Sequence, residues 1–514
     1  MGIPSYYRKL AKQFKGFYCN RPDNIKWLLM DYNCLIYQVL MHNTWGVFPG
    51  YSNMVAAKAW EKTFIEEICN YTGRVIELAA VDPSRVLIAM DGVVPLAKMR
   101  QQRMRRFRAA STNTSGASWD TNAITPGTEF MTSLAVALKR RFSTAMVSDT
   151  TEYGEGEHKI MEHLRRLGPD SCTSVIYGLD GDLFVLGLLA NQLICPEMNF
   201  YFLREEGKAL SSRSDGQTEF SWISLNVLKD GLITQKSAAS TISESEWLTE
   251  YAIAMSLLGN DFVPHGLSFR IKEGGHERLL SYLNQLHDGG DQLVIDGELN
   301  SAAWGKIFDW LARDEEKAIT ASVRSKITAA AAVIRDSIDE NQKPLLWVAE
   351  NEGQLWDSDN NRLRKNWRTQ YARYGLLAPE GQEVQFLEDS VKQYIHAIEW
   401  TFTYYCKGAS NISFDWMYNF PTAPLFSVVA KKFTGFEGIR PSDEAKPTAH
   451  EQLALVLPAE SYWLIPRCPE RQLLAKAQWL FPKKWEYYSF GKRLFWECEA
   501  HIPIPTIKAV RELI

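Results

Sequence analysis

The sequence predicts an α/β fold with a largely parallel central sheet flanked by helices, followed by a long helix and a second, aromatic-rich α+β region. Two observations predict the first part. Through about residue 265 short apolar runs alternate with helical stretches, the pattern of strand–helix–strand units. Three of those runs also lead into an acidic residue, and open parallel sheets hold their ligands outside the carboxyl ends of the strands.

The candidate strands are residues 27–30, 86–90, 173–177 and 200–203. From 300 to 341 the chain reads as helix, because Ala, Ile, Lys, Arg and Glu dominate 315–339 with neither Gly nor Pro among them. Polar stretches at 351–364 and 378–382 read as loops near the start of the second region, whose aromatic density peaks at 394–426. A Pro-, Ser-, Thr- and Lys-containing loop at 440–450 precedes a last segment alternating Trp, Tyr and Phe with Pro. The expected units are therefore 1–299, 300–341, 342–439 and 440–514. Aromatic side chains of the second region are expected mainly in the core.

Composition narrows the classes. With 46% hydrophobic and 23% charged residues among 514, wholesale disorder and a fibrous protein are excluded. The 57 basic and 61 acidic residues leave a net charge of −4, so contact with nucleic acid must come from a local patch. The eight cysteines form no CxxC pair, which predicts neither a disulfide framework nor a zinc ribbon and suits a reducing compartment. No apolar run approaches the roughly 18 residues of a membrane span. The start has no apolar leader, and Tyr6 stands where a myristoylation signal needs Ser or Thr. A soluble cytoplasmic protein is the expectation, with the nucleus as the alternative.

Five segments carry carboxylates in similar settings: Leu28-Leu29-Met30-Asp31, Ala89-Met90-Asp91-Gly92, Gly154-Glu155-Gly156-Glu157-His158, Gly178-Leu179-Asp180-Gly181-Asp182 and Gly259-Asn260-Asp261-Phe262. A lone Asp after a strand is more often a helix cap or turn former, and Glu155-Gly156-Glu157 alone reads as a solvated loop. If the backbone of an acid-Gly-acid run is extended, its two acids share a side and the Gly permits close approach. Two carboxylates about 5 Å apart repel by roughly 3 kcal/mol at an effective dielectric near 20. Seven that converge therefore demand divalent cations, and oxygen-only ligands favour Mg²⁺ or Mn²⁺ over Zn²⁺. Two such ions can activate water and stabilise the leaving oxygen of a phosphodiester.

After Asp91-Gly92 the sequence continues Val93-Val94-Pro95-Leu96-Ala97-Lys98-Met99-Arg100-Gln101-Gln102-Arg103-Met104-Arg105-Arg106-Phe107-Arg108. Pro95 suits a first helical turn. Lys98, Gln102, Arg105 and Arg106 fall on one helical face, a set suited to a terminal phosphate. A solvated basic helix, or one that binds nucleic acid nonspecifically, is the alternative.

These motifs resemble the XRN 5′→3′ exoribonucleases, related more distantly to the flap endonucleases. The resemblance rests on Met1-Gly2-Ile3-Pro4, the string from Asp91 to Arg103, Ile124-Thr125-Pro126-Gly127-Thr128-Glu129-Phe130-Met131, the segment from Gly154 to Met161, Tyr177-Gly178-Leu179-Asp180-Gly181-Asp182-Leu183 and Gly259-Asn260-Asp261-Phe262-Val263-Pro264-His265. Weaker similarity covers residues 400–408, 413–418, Ala423-Pro424 and 452–458.

The resemblance implies a PIN/flap-nuclease-like core in 1–299, a second region bracing the active site, and a last segment packed on the core. It implies a metal-binding and catalytic set of Asp31, Asp91, Glu155, Glu157, Asp180, Asp182 and Asp261, holding two Mg²⁺ ions that Mn²⁺ can replace. Lys98, Gln102, Arg105 and Arg106 become the receptor for a 5′-monophosphate. Trp416 matches the family's base-stacking tryptophan, and Tyr37 stands where the family has a histidine; Tyr still stacks on a base. The implied activity is processive hydrolysis of single-stranded RNA from a 5′-monophosphate end to nucleoside 5′-monophosphates, by a monomeric catalytic unit with no membrane partner. Longer members carry further C-terminal domains, so the last segment, or a protein partner, is expected to supply their bracing. The alternatives are a structure-specific 5′ flap DNA nuclease and a noncatalytic RNA-binding scaffold, the latter disfavoured by the complete carboxylate set.

Overall fold

The computed structural model describes residues 3, 5–14, 16–43, 45–112, 118–206, 220–333, 339–441 and 445–514. Met1, Gly2 and Pro4 of the opening motif lie outside the described residues, as do 334–338 of the expected helical stretch and 442–444 of the expected loop.

The strands β1 (Tyr18–Cys19), β2 (Ile25–Asp31), β3 (Val86–Ala89), β4 (Met146–Ser148), β5 (Thr173–Tyr177), β6 (Asn199–Glu205) and β7 (Phe220–Ser224) form a sheet in the order β1-β7-β6-β5-β2-β3-β4. From β6 to β4 the neighbours run parallel, while β7 and β1 add antiparallel partners at the β6 edge. The α/β expectation therefore holds. The central strands are near-continuous apolar runs because both faces are covered. Side-chain alternation divides them. Leu28, Met30, Val86 and Ile88 face one core, whereas Trp27, Leu29, Leu87 and Ala89 face the other.

The helices that follow are α1 (Tyr6–Gln13), α2 (Asn33–Met41), α3 (Met54–Ala79), α4 (Leu96–Thr112), α5 (Glu129–Arg141), α6 (Gly156–Leu167) and α7 (Asp182–Leu193). Next come α8 (Leu225–Ile233), α9 (Glu244–Ala254), α10 (Gly275–Asp288), α11 (Ser301–Ala331), α12 (Trp367–Gln370), α13 (Glu383–Phe402), α14 (Phe426–Lys432) and α15 (Ala449–Val456). The segment Asp182–Leu193 is apolar almost all round, so α7 is buried throughout most of its length.

The long helix lies on the core through Trp304, Ile307, Phe308, Leu311, Ile319 and Val323. It stops at Ala331, short of the expected 341. The chain resumes as a 3-10 turn at Glu340–Trp347, where the Asp339 side chain caps Asn341 N and Pro344 lacks the N–H that an α-helix needs. The second region is mainly helical. Its ladders are confined to Trp356–Asp357 with Arg362–Leu363 and, further on, Glu486–Tyr488 with Glu499–His501. A third core joins α4 to α15 and the last segment through Met99, Phe107, Leu453, Leu457 and Leu480.

Candidate active site

The topology delivers carboxylates to the carboxyl edge of the sheet. Asp31 ends β2, Asp91 follows β3, and Asp180 and Asp182 follow β5, with Asp182 opening α7. Glu155 occupies the N-cap position of α6 without a side-chain cap bond and Glu157 lies in the first turn, so this segment is a buried helix start and not the solvated loop its composition suggests. Nor are the two acid-Gly-acid runs extended. Each begins a helix, where the exposed N–H groups favour anions. The glycine is nonetheless needed: Gly156 N donates to Asp91 Oδ1 at 2.8 Å, and a Cβ there would strike Asp31 Oδ1 and lie 2.8 Å from Ala89 O.

Oxygen atoms of Asp31, Asp91 and Glu157 lie within 4.8 Å of one another, as do ligand atoms of Glu155, Glu157 and His158. The other three join through charge. Asp180 and Asp182 act on Asp31, and Asp261 acts on Asp182 and Glu155. Burial, then the neighbouring Asp91, Asp180 and Asp182, raises the Asp31 carboxyl well above its ordinary range. Burial, then Glu155 and Asp31, does the same to Glu157. Burial outweighs Lys98 at Glu155, which is pushed up to about 7, and burial with Asp180 and Asp261 lifts Asp182 to about 6. At Asp261 the balance reverses, because Lys98 overcomes the effect of burial.

Donor chemistry fits hard divalent cations. The set is carboxylate oxygens, and Glu155 Oε2 and Asp182 Oδ1 are buried without a hydrogen-bond partner among the described residues. The nearby His158 ring is buried and stacked on Tyr404 with centroids 3.7 Å apart. Burial holds its pKa well below the usual histidine range, so it is neutral.

Against this cluster stands α4. Leu96 N donates to Phe414 O at 2.8 Å, which ties the helix start to the second region. Lys98 Nζ pairs with Asp261 Oδ2 at 2.5 Å and with Glu155 Oε1. Its ammonium thus neutralises two of the seven acids and is not a free anion receptor. Gln102 is buried and accepts from Gln452 Nε2 at 3.3 Å. Arg106 is buried with Nη1 unpartnered among the described residues. Burial pulls its pKa down to about 10, against the opposing fields of Tyr37, Asp120 and Asp91. Arg105 makes no ion pair among the described residues and lines a cavity of about 1090 Å³ that reaches Asp180 and Asp261.

Comparison with known proteins identifies the family. Residues 1–206 match the family described as XRN 5'-3' exonuclease N-terminus, and residues 311–512 match the Xrn1 helical domain. The chain belongs to the XRN 5′-3′ exonuclease family. It is 28% identical to human 5'-3' exoribonuclease 1 over 598 residues, covering 100% of this chain and 34% of the relative. It is 25% identical to Debaryomyces hansenii 5'-3' exoribonuclease 2 over 625 residues, covering 85% of this chain and 61% of the relative. A shorter match of 313 residues to Candida glabrata 5'-3' exoribonuclease 2 is 32% identical, with 47% and 30% covered. This XRN chain therefore spans between about a third and three fifths of the length of these relatives.

The two aromatic residues expected to stack on a base differ in setting. Trp416 is half-buried, packed on Trp400 and His396 with centroids 5.5 and 5.0 Å away. Tyr37, on α2, is exposed and faces the buried Arg106. Among the described residues these two rings make no contact with each other.

Several groups that hold the XRN site together escape sequence reasoning. Asn33 Nδ2 donates to Asp91 Oδ2 at 2.9 Å, and Asp91 N donates back to Asn33 Oδ1 at 3.2 Å. Lys159 Nζ donates to Met90 O at 2.7 Å and Asp149 O at 2.6 Å, fixing the end of β3. Arg103, fully buried, donates to Pro503 O at 2.9 Å, to Leu455 O at 2.5 Å and to Leu480 O, which binds α4 to the last segment. Lys159 and Arg103 sit inside recognisable motifs, but no spacing rule separates a positioning cation from a substrate-binding one.

Proposed function

We propose that this chain is a divalent-metal-dependent, processive 5′→3′ exoribonuclease that cleaves 5′-monophosphorylated single-stranded RNA to nucleoside 5′-monophosphates. The observation that supports the reading is the close approach of Asp31, Asp91, Glu155 and Glu157, on which the charges of Asp180, Asp182 and Asp261 act, with two unpartnered buried oxygens and an unpaired guanidinium on α4. Asp31, Asp91, Glu155, Glu157, Asp180, Asp182 and Asp261 would hold two divalent cations, Mg²⁺ with Mn²⁺ as a replacement. Those ions supply activation of water and stabilisation of the leaving 3′ oxygen.

The rest falls to side chains. Arg106, with Arg105, binds the terminal phosphate by charge-assisted hydrogen bonds, and Gln102 contributes an amide held in place by Gln452. Satisfying a buried, unpaired Arg106 offsets the desolvation it already bears, so the phosphate is an anchor as well as a filter. A receptor that takes a single phosphate would reject a terminus carrying a cap or a triphosphate. Tyr37 and Trp416 stack on the leading base, keeping successive phosphates in register with the carboxylates. Lys98 limits repulsion between Glu155 and Asp261.

Asp180→Ala and Asp182→Ala test the reading. Digestion of 5′-monophosphate RNA should collapse in both while the circular dichroism spectrum is retained. Matched strands with 5′-hydroxyl, 5′-triphosphate or deoxyribose should be poor substrates for the wild type. Unchanged digestion by either variant refutes the assignment, and preferential cleavage of DNA flaps replaces it with a flap nuclease.

A further inference from the structure

A second group of metal-ligating side chains lies away from the carboxylate centre. Ligand atoms of His450, Cys468 and Glu470 lie within 4.8 Å of one another, and among the described residues this is the one such group that contains a cysteine. The chain holds only 9 His and 8 Cys in 514 residues, so a chance meeting of both with a carboxylate is uncommon. The three come from two segments: His450 from the first turn of α15, Cys468 and Glu470 from either side of Pro469 at the start of a short 3-10 turn.

Both backbones are fixed. Thr448 and Glu451 form a capping box at the start of α15, and Glu451 also receives Arg511 Nε at 2.7 Å. Arg471 N donates to Cys468 O at 3.2 Å. All three ligands are half-buried, which leaves room for water as a fourth. The imidazole has no hydrogen-bond partner among the described residues.

We infer that His450, Cys468 and Glu470 bind one zinc-class divalent cation that staples the start of α15 to the 468–470 segment. Nitrogen, thiolate and carboxylate together suit zinc at tetrahedral geometry, whereas the oxygen-only centre suits a hard cation. Binding replaces the thiol proton, which leaves to solvent. The staple has a consequence for α4. Gln452, one residue past the first turn's Glu451, accepts from Val94 N at 3.0 Å and donates to Gln102, so α15 backs the proposed phosphate face.

Cobalt titration of the full chain tests this, because a Co²⁺–thiolate bond gives a near-ultraviolet charge-transfer absorption that oxygen ligands do not. One equivalent should produce the band in the wild type and in Asp180→Ala. Cys468→Ser should abolish it, and His450→Ala should weaken Co²⁺ affinity about tenfold or more, since loss of even outer-sphere partners costs 10–100-fold. Glu470→Gln, a near-isosteric change at the same half-exposed site, should weaken binding without disturbing the circular dichroism spectrum. Absence of the band in the wild type, or its persistence in Cys468→Ser, overturns the inference.

Discussion

Replacing Glu155 by Gln in metal-free protein isolates the electrostatic load of the carboxylate cluster. The folded Glu155 carboxyl titrates at about 7 against an ordinary 4.5, chiefly because it is buried. Its folded value is the higher one, so the folded state retains a proton that the unfolded state has already lost. Stability from this group is complete below about pH 4.5, is lost progressively as pH rises, and levels off above about 7. At 1.36 kcal/mol per pH unit the loss is roughly 3 kcal/mol. Glutamine keeps the shape of the protonated acid and does not titrate. In chelator, the variant should therefore match the wild type to within about 1 kcal/mol near pH 5 and exceed it by roughly 3 kcal/mol near pH 8. The buried His265, held low by burial and by Arg270 and Lys492, is the same in both proteins and cancels from the difference. Urea unfolding at the two pH values, with and without Mg²⁺ or Mn²⁺, gives the four numbers needed. Saturating cation at about 100 times its Kd should add close to 2.7 kcal/mol per bound ion to the wild type and less to the variant. A gap that does not open with pH, or a variant less stable throughout, would refute the claim that repulsion and burial dominate this site.

Lys98→Met removes the ammonium shared by Glu155 and Asp261, and leaving buried charge unpaired costs about 3–5 kcal/mol. Urea unfolding in chelator should show that loss near neutral pH, and a divalent cation should recover much of it. Arg103→Met strips three carbonyls, at Leu455, Leu480 and Pro503, of their donor and should cost about 4 kcal/mol, at 1–3 kcal/mol per orphaned group; a loss under about 1 kcal/mol would mean α4 is held to the last segment by packing alone. Tyr37→Ala should weaken binding of 5′-monophosphate RNA about tenfold or more, as one stacked base is worth roughly 1–3 kcal/mol. Tyr37→His should restore the affinity with a dependence on pH near 6.5, read by fluorescence anisotropy across that range.

The sheet was legible because its strands leave strong local signals. β2, β3 and β5 are apolar runs ending near Asp or Gly, and the expected and observed bounds agree to within two residues. The short edge strands β1 and β4 were not legible, because two or three residues carry no period. The end of α11 was missed for a different reason: composition from 315 to 339 favours helix throughout, and no Gly or Pro marks the C-cap at Ala332. For the site, Asp31, Asp91, Asp180 and Asp182 could be read from the strand ends, while Glu155, Glu157 and Asp261 came from motifs the family resemblance supplies. Their helical setting at Glu155–Glu157 could not, since Gly usually argues against a helix start and is tolerated here by the close passage of Asp31. The partners of Lys98 and Gln102 lie 57 to 350 residues away in sequence, so the helical face alone could not separate the charges that serve the carboxylates from those that await a ligand.

That separation has a structural logic. Along one face of α4, Lys98 is nearest the acids and is committed to them, Gln102 is held by α15, and Arg106 is left buried and unpaired. Positive charge is thus graded from satisfied to unsatisfied in little more than two turns, about 12 Å at 1.5 Å per residue. The unsatisfied end is stable only because the helix cannot rotate it into water: Arg103, one turn earlier, is clamped by carbonyls of the last segment, and Met99 and Phe107 pack against that segment. A helix free to turn would solvate Arg106 and lose its pull on a phosphate. The last segment therefore acts on the site by holding Gln102 through Gln452 and by clamping the helix that keeps the Arg106 guanidinium buried and unpaired.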